Sequence, residues 1–170
     1  MTLENDIESW IFNWVSQYNE NLQAIPCPFA KQAFVDNKIL IRELTPTTDL
    51  SMAEYFECEL ENYTAHWPHD KEVVALGCKP NLISADNLEE IVSKCNQTFL
   101  KNRGYIALED HPMAVEIIAG ETMNQGEWAL VLVQLKSKLD KASHILDKQG
   151  YYKTWSEENL NEVVSWRNNY

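Results

Sequence analysis

Glu72-Val73-Val74-Ala75-Leu76-Gly77 is a short, almost wholly apolar segment that lies between two longer stretches with apolar residues at every third or fourth position. This pattern predicts a buried β-strand between two amphipathic helices. A similar alternation of helix and strand continues in both directions along the chain. Strands that are separated by helices usually pair in parallel through right-handed connections, so this order decides the predicted class of fold.

The part of the chain before this strand predicts two helices and a further strand. Residues 3–22 carry apolar side chains at helical spacing, which predicts a first amphipathic helix. Lys38 to Leu44 contains β-branched residues typical of a strand. Ser51 followed by Glu54 forms a capping-box pattern, which predicts the start of a second helix.

The part of the chain after Gly77 predicts three more helices and one more strand. A third helix begins at Ser84 and ends at Gly104, and Tyr105 to Leu108 predicts a third strand. Thr122 and Gln125 resemble a capping box for a long central helix, whose apolar positions run from Trp128 to Gly150 and whose first half is buried on all sides. Ser156, followed by two glutamates, predicts the start of a final short helix.

These elements predict an α/β fold with a small, mainly parallel sheet of three or four strands, covered by about five helices. A chain of 170 residues is long enough for one core, so residues 1–170 are expected to form a single globular domain. An α+β sheet with one antiparallel strand is the alternative. Met113 to Ala119, which could form a fourth strand or an irregular loop, is the segment expected to decide between them.

The composition is strongly acidic, with 26 acidic and 14 basic residues and a formal net charge of −12. This charge repels phosphate, so direct binding to a nucleic-acid backbone is not expected. No apolar run approaches the roughly 20 residues that span a bilayer, and membrane association is not expected either. The absence of a signal-peptide pattern and the four widely spaced cysteines predict a cytoplasmic protein with reduced thiols.

Candidate reactive residues follow two of the predicted strands. Cys78 comes directly after the strand at Glu72 to Gly77, and Asp110 and His111 follow the strand at Tyr105 to Leu108. Ligands often bind where parallel strands end. A thiol beside an imidazole can act as a nucleophile, and Asp110 or Glu109 could orient the ring. The alternative, that these are structural loop residues, remains open.

Cys27 lies between Pro26 and Pro28, where no helix can continue, so its thiol belongs to a stiff, non-helical junction. The residue could be reactive, or it could be an inert small hydrophobic residue that packs beside Phe29. The sequence leaves both interpretations open.

A metal site is a further hypothesis. His66 and His69 could bind a transition metal together with Cys27 or His111. Pro68 lies between the two histidines and interrupts any helix that would align them. The sequence identifies neither a metal nor a cofactor.

Cys27-Pro28-Phe29-Ala30, preceded by a tryptophan-containing helix, and His111-Pro112 resemble a bacterial domain family of unknown function with a Cys-Pro-Phe-Ala signature. The resemblance covers about residues 8–112 and includes the same alternation of helix and strand. It implies that Cys27 and His111 belong to one site. The residues after Pro112 depart from the family pattern, and the last third of the chain has no counterpart in it.

Two hypotheses about function follow. The first is a small acidic interaction or regulatory domain that binds a protein partner through the terminal helix and the aromatic segment Tyr151 to Trp155. The second is a small enzyme or metal-binding protein that uses Cys27, His111 and Asp110. In that case Cys27 is the nucleophile or a ligand, His111 is the base or a ligand, and Asp110 orients the imidazole. The oligomeric state is not predicted.

Overall fold

The structure is a computed structural model that describes residues 2–46, 49–153 and 155–165. Its α-helices are α1 (Leu3–Trp10), α2 (Ala30–Val35), α3 (Met52–Ala65), α4 (Ala85–Cys95), α5 (Lys136–Lys148) and α6 (Glu157–Val163). Its strands are β1 (Ile39–Glu43), β2 (Val73–Cys78), β3 (Tyr105–Asp110), β4 (Ile117–Ile118), β5 (Glu121–Thr122) and β6 (Ala129–Leu135). None of the helices in these ranges is long and apolar enough to cross a membrane.

The main sheet has four strands in the order β1-β2-β6-β3, and β4 and β5 form a separate hairpin. Strands β1 and β2 are parallel, whereas β6 is antiparallel to both of its neighbours. The predicted class, a small sheet of three or four strands covered by helices, is confirmed with four strands, but the pairing is mixed and not mainly parallel, because β6 is antiparallel to both neighbours; this pairing is also compatible with the α+β alternative. The strand that makes the sheet mixed is β6, and Met113 to Ala119 contributes the two-residue strand β4 instead.

The long helix predicted from Trp128 to Gly150 is wrong in its first half, which forms β6 before the chain turns directly into α5. Ala129, Leu130, Val131 and Val133 are all fully buried because β6 is a central strand with both of its faces covered. A short run of apolar residues of this kind looks the same in a central strand and in a buried helix, so its periodicity cannot separate the two.

Helices cover both faces of the sheet. On one face, α3 and α4 pack against alternate residues of β2 and β6, and the largest contributors are Phe56, Leu60, Leu88, Val92, Val74, Leu76, Val131 and Val133. On the other face, α1 packs Leu3 and Ile7 against Ala75, Trp128 and Leu130. Gly77 allows this close approach, since a Cβ atom there would lie 2.8 Å from the Leu130 side chain and 2.9 Å from the Leu3 side chain.

The first helix is shorter than the prediction of residues 3–22. Helix α1 ends at Trp10 and continues as one π-helical segment, Ile11–Val15. The chain then reverses, because the Val15 carbonyl accepts the Cys27 N–H at 2.9 Å and Asn19 pairs with Ala24. Backbone N–H and C=O groups that a helix over residues 16–22 would need are hydrogen-bonded in this reversal instead. The spacing of the apolar residues does not reveal the reversal.

Three of the predicted helix ends that depend on local caps are confirmed, whereas the capping box predicted at Thr122 and Gln125 is wrong, because Thr122 lies in β5 and a strand follows. Ser51 and Glu54 form the full capping box of α3, and the Ser84 side chain accepts the Asn87 N–H at the start of α4. Gly104 adopts the left-handed conformation, with φ of 83°, where the helical segment after α4 ends. These contacts span three residues or fewer, and this is why they can be recognised from sequence.

Candidate functional site

The candidate site lies at the edge of the sheet where β2 and β3 end and β6 begins. Cys78 is paired with Ala129, and Asp110 is paired with Leu130, so the loops after β2 and β3 reach the same edge on either side of β6. Cys78 is fully buried there, and desolvation raises the pKa of its thiol to about 12. A thiol of that pKa stays protonated at neutral pH and is a poor nucleophile.

His111 is buried, and both nitrogens of its imidazole have protein partners. Nδ1 accepts the backbone N–H of Met113 at 3.1 Å. Nε2 lies 3.1 Å from the Ile83 carbonyl and 3.3 Å from the Pro80 carbonyl, so it is the nitrogen that donates. These contacts assign a neutral ring with its hydrogen on Nε2. The ring connects the segment after β2 with the segment after β3, and neither nitrogen is available to bind a metal ion or to accept a substrate proton in this arrangement.

Asp110 fixes the loop that follows β3, which we call the 111–125 loop. Its Oδ1 accepts the side-chain amide of Asn124 at 2.7 Å, and its Oδ2 accepts the backbone N–H of Gln125 at 2.8 Å. Burial raises the pKa of Asp110, and these two hydrogen bonds oppose the increase. The carboxylate thus connects the beginning of the loop to its end.

Asn124 completes the attachment of the 111–125 loop. Its Nδ2 donates to the Ala114 carbonyl at 3.0 Å, and its Oδ1 accepts the Glu116 N–H at 2.7 Å. Sequence reasoning missed this residue, because an asparagine that follows Asp110 by fourteen positions matches no local turn or cap pattern.

Cys27 lies at the junction between the π-helical segment and α2, and it is exposed to solvent. Although Cys27 is exposed as a whole residue, surrounding residues of the same chain desolvate its thiol and raise the pKa of that group. The backbone N–H groups of Phe29 and Ala30 oppose the increase. The Tyr151 hydroxyl donates to the carbonyls of Ile25 and Pro26, at 2.5 and 3.0 Å, which fixes the residues before the thiol. The junction is stiff, as expected, but its surroundings favour the protonated thiol.

The three predicted catalytic residues have separate sets of partners. Within the described ranges, no hydrogen bond joins Cys27 to His111 or Asp110, and each of the three contacts other parts of the fold. Asp110 and His111 both organise the 111–125 loop, whereas Cys27 is held beside Val15 and Tyr151. A shared catalytic role for them stays a prediction that none of these contacts supports.

The histidines proposed as metal ligands also lie apart from any suitable group. Among the residues that the structure describes, no three His, Cys, Asp or Glu side chains are close enough together to hold a metal ion. Nδ1 of the exposed His69 lies 2.8 Å from Oδ2 of Asp70, and the nitrogens of His111 are engaged as described above. The geometry therefore does not support the metal site predicted from His66, His69, Cys27 and His111.

The aromatic segment after α5 mainly contacts its own protein. Tyr151, Tyr152 and Trp155 pack against one another, with ring centroids 5.0 to 5.7 Å apart. Tyr151 and Trp155 also cover a small apolar cluster of Leu22, Ala24 and Ile118. The segment closes an edge of the core, and most of its aromatic surface is used within the chain.

The 111–125 loop presents an apolar surface that the sequence analysis did not identify. Met113, Val115 and Ile117 are 80%, 58% and 60% exposed, and we call these three side chains the 113–117 strip. Ile118, the next residue, points inward and is buried against Leu22. The available signal was the presence of large apolar residues at every second position directly after His111-Pro112, in a segment too short to form a core strand.

Carboxylates lie next to this loop. Glu109 is the last residue but one of β3 and is exposed as a whole residue, but partial desolvation of its carboxyl raises the pKa of that group. The negative charges of Glu89, on α4, and of Glu116, in the loop, raise it further. The free protein therefore holds Glu109 near two further carboxylates, Glu89 and Glu116, whose negative charges disfavour its ionised form.

Replacing Glu109 by glutamine is expected to raise the midpoint of thermal unfolding at pH 7 by about 1 to 2 °C. The pKa of Glu109 is higher in the folded protein than in the unfolded chain, where it is about 4.3. The stabilisation from protonated Glu109 is therefore fully present below pH 4.3, and it is lost as the pH rises through the folded pKa. The gain from Glu109→Gln should therefore vanish near pH 3.5. Thermal scans at both pH values test this, with the exposed Glu20→Gln as the control. An equal gain at both pH values would contradict the electrostatic explanation.

Comparisons of the chain with models of protein families, with curated proteins and with solved structures gave no match. The resemblance to the family with the Cys-Pro-Phe-Ala signature therefore rests on its motif residues and stays a prediction.

Proposed function

We propose that this protein is a small acidic interaction or regulatory domain that binds a protein partner through the 113–117 strip. The observation that carries the proposal is the exposure of three large apolar side chains within five residues of one loop. Large apolar side chains that are exposed close together in the chain are unfavourable in water and typically mark a contact site.

The fixed backbone of the 111–125 loop supports this role. Hydrogen bonds from Asn124 and Gln125 to Asp110, and from Met113 to His111, hold the loop without help from a partner. A loop that is already ordered loses less conformational entropy on binding. In this proposal Asp110 and His111 are therefore positioning residues for the contact surface.

The charge beside the strip indicates the chemistry of the partner. The negative charges of Glu89 and Glu116 repel that of Glu109 in the free protein, and the whole chain has a net charge of −12. A partner with apolar side chains at the centre of its contact surface and basic side chains at the rim would relieve this repulsion and associate faster. All four cysteines are free, which fits a reducing compartment, and we include a cytoplasmic location in the proposal.

The triple substitution Met113→Ser, Val115→Ser, Ile117→Ser is expected to weaken partner binding by about 10- to 100-fold, since exposed central apolar residues dominate most interfaces. Immobilised wild-type protein should capture a partner from a lysate of the source organism, and the affinity for the purified partner is then measured by calorimetry. Thermal stability of the variant should remain close to wild type, because the three side chains are exposed.

The matched control is Val35→Ser, Leu50→Ser, Ile145→Ser, which removes three other exposed apolar side chains. This control should bind like the wild type. Retention of the same partner by both triple variants would reject the 113–117 strip as the contact surface. A dimer in light scattering that only the 113–117 variant abolishes would assign the strip to a second copy of the chain and overturn the proposal of a different protein partner.

A further inference from the structure

A second surface with binding chemistry is formed by Trp10, at the end of α1, and Trp14, in the π-helical segment that follows. Their rings are stacked, with centroids 6.3 Å apart and an angle of 5° between the ring planes. Both residues are partly exposed, and neither belongs to the apolar clusters found among the described residues. The residues that hold this segment to the sheet are Leu3, Ile7 and Ile11.

Negative charge predominates in the segment around the two tryptophans. Residues 1–30 contain four carboxylates, Glu4, Asp6, Glu8 and Glu20, and no lysine, arginine or histidine, whereas the next residue, Lys31, lies over the Phe12 ring. Further aromatic surface is exposed in the same segment at Tyr18 and Phe29. A segment that combines exposed aromatic faces with an excess of negative charge attracts cations and repels anionic surfaces.

Asp6 is held in position for such a cation. It precedes Trp10 by four residues on α1, which places the two side chains on the same side of the helix. Its Oδ2 accepts the indole N–H of the buried Trp128 at 2.9 Å, so the carboxylate is fixed before any ligand arrives. A planar cation that stacks on an indole could be paired by a carboxylate one helical turn away.

We propose that Trp10 and Trp14 form a docking surface for arginine side chains of a partner protein. A guanidinium group is planar, always charged and weakly hydrated, so it stacks on a tryptophan face more readily than an ammonium group does. The negative charge of residues 1–30 supplies long-range attraction, and the indoles supply the selectivity for arginine. This surface is separate from the 113–117 strip and does not rest on its role.

The probe is an acetylated heptapeptide amide, Gly-Arg-Gly-Arg-Gly-Arg-Gly, compared with the same peptide carrying lysine or glutamine in place of arginine. Calorimetric titration should give binding of the arginine peptide that is about 3- to 10-fold tighter than that of the lysine peptide. The glutamine peptide should not bind measurably. Equal affinity for the arginine and lysine peptides would overturn the stacking role, because it would leave only non-selective attraction.

Protein variants test the residues themselves. The double variant Trp10→Leu, Trp14→Leu should bind the arginine peptide about 10-fold or more weakly than the wild type does, and it should bind the arginine and lysine peptides equally well. Trp10→Phe, Trp14→Phe keeps aromatic faces and a fold close to the wild type, and it should retain the preference at reduced strength. The 113–117 triple serine variant should bind the peptide like the wild type. A preference for arginine that survives in the double leucine variant, or is lost in the 113–117 variant, would reject this assignment.

Discussion

Replacement of Asn96 by leucine is expected to lower the free energy of unfolding by about 2 to 5 kcal/mol. Asn96 is 3% exposed, and its side-chain amide makes two hydrogen bonds of 2.9 Å with the backbone of Ala107. Nδ2 donates to the carbonyl oxygen and Oδ1 accepts the N–H. Leucine has a similar volume but would leave both of these buried backbone groups without a partner.

The size of this effect follows from the place of β3 in the sheet. β3 is the last strand of the order β1-β2-β6-β3, so one of its two edges has no neighbouring strand. At Ala107 the Asn96 amide supplies the donor and acceptor that a further strand would supply, and it also protects the edge from pairing with another chain.

Urea unfolding of the wild type and the variant, which gives the free energy of unfolding of each, tests this prediction. Gln97→Leu, at the exposed next position, is the control and should change the free energy of unfolding by less than about 0.5 kcal/mol. If Asn96→Leu lowered it by less than about 1 kcal/mol, the backbone groups of Ala107 would have to find other partners, and the edge-capping role would be wrong.

Replacement of Trp128 by alanine is expected to destabilise the protein by about 3 to 5 kcal/mol. Trp128 is fully buried between α1 and the sheet, directly before β6. Its indole N–H donates to Asp6, and the Lys79 ammonium lies 3.5 Å from the centroid of its ring. Alanine would leave a large cavity under α1 and would remove both of these contacts.

Two further variants separate the contributions of Trp128. Trp128→Phe keeps apolar volume and a ring for Lys79, and it should destabilise clearly less than alanine does. Asp6→Asn keeps an acceptor oxygen for the indole N–H and should lower the free energy of unfolding by less than about 1 kcal/mol. Chemical unfolding of all three measures these differences. Equal losses for phenylalanine and alanine would show that the hydrogen bond, and not the packed volume, dominates.

The elements that sequence analysis located correctly have local signals. Ser51 and Glu54 cap α3, Ser84 caps α4, and Gly104 ends the helical segment before β3, all through contacts within a few residues. The strands β1, β2 and β3 were found because each is short, rich in branched residues and bounded by such helices. In contrast, the segment Trp128 to Leu135 was interpreted as helix, since an apolar run carries no periodicity when every side of it is buried.

The candidate site was predicted less well than the fold. His111 directly follows β3 as predicted, whereas Asp110 is the last residue of that strand; their partners, Asn124, Gln125, Pro80 and Ile83, cannot be inferred from spacing. These partners decide whether a side chain has free donors or acceptors, and hence whether it can act on a ligand. The exposed 113–117 strip was missed for a related reason, since exposure depends on which residues the rest of the chain covers.

The sequence by itself determined the net charge of −12, the capped helices and the short strands between them, because these depend on composition and on contacts between near neighbours. Only the tertiary structure decided that Ala129 to Leu135 is a strand between β2 and β3, and that Asp110 and His111 are tied into a loop. The backbone hydrogen bonds of β6 join residues twenty or more positions apart, and no local sequence pattern identifies such partners.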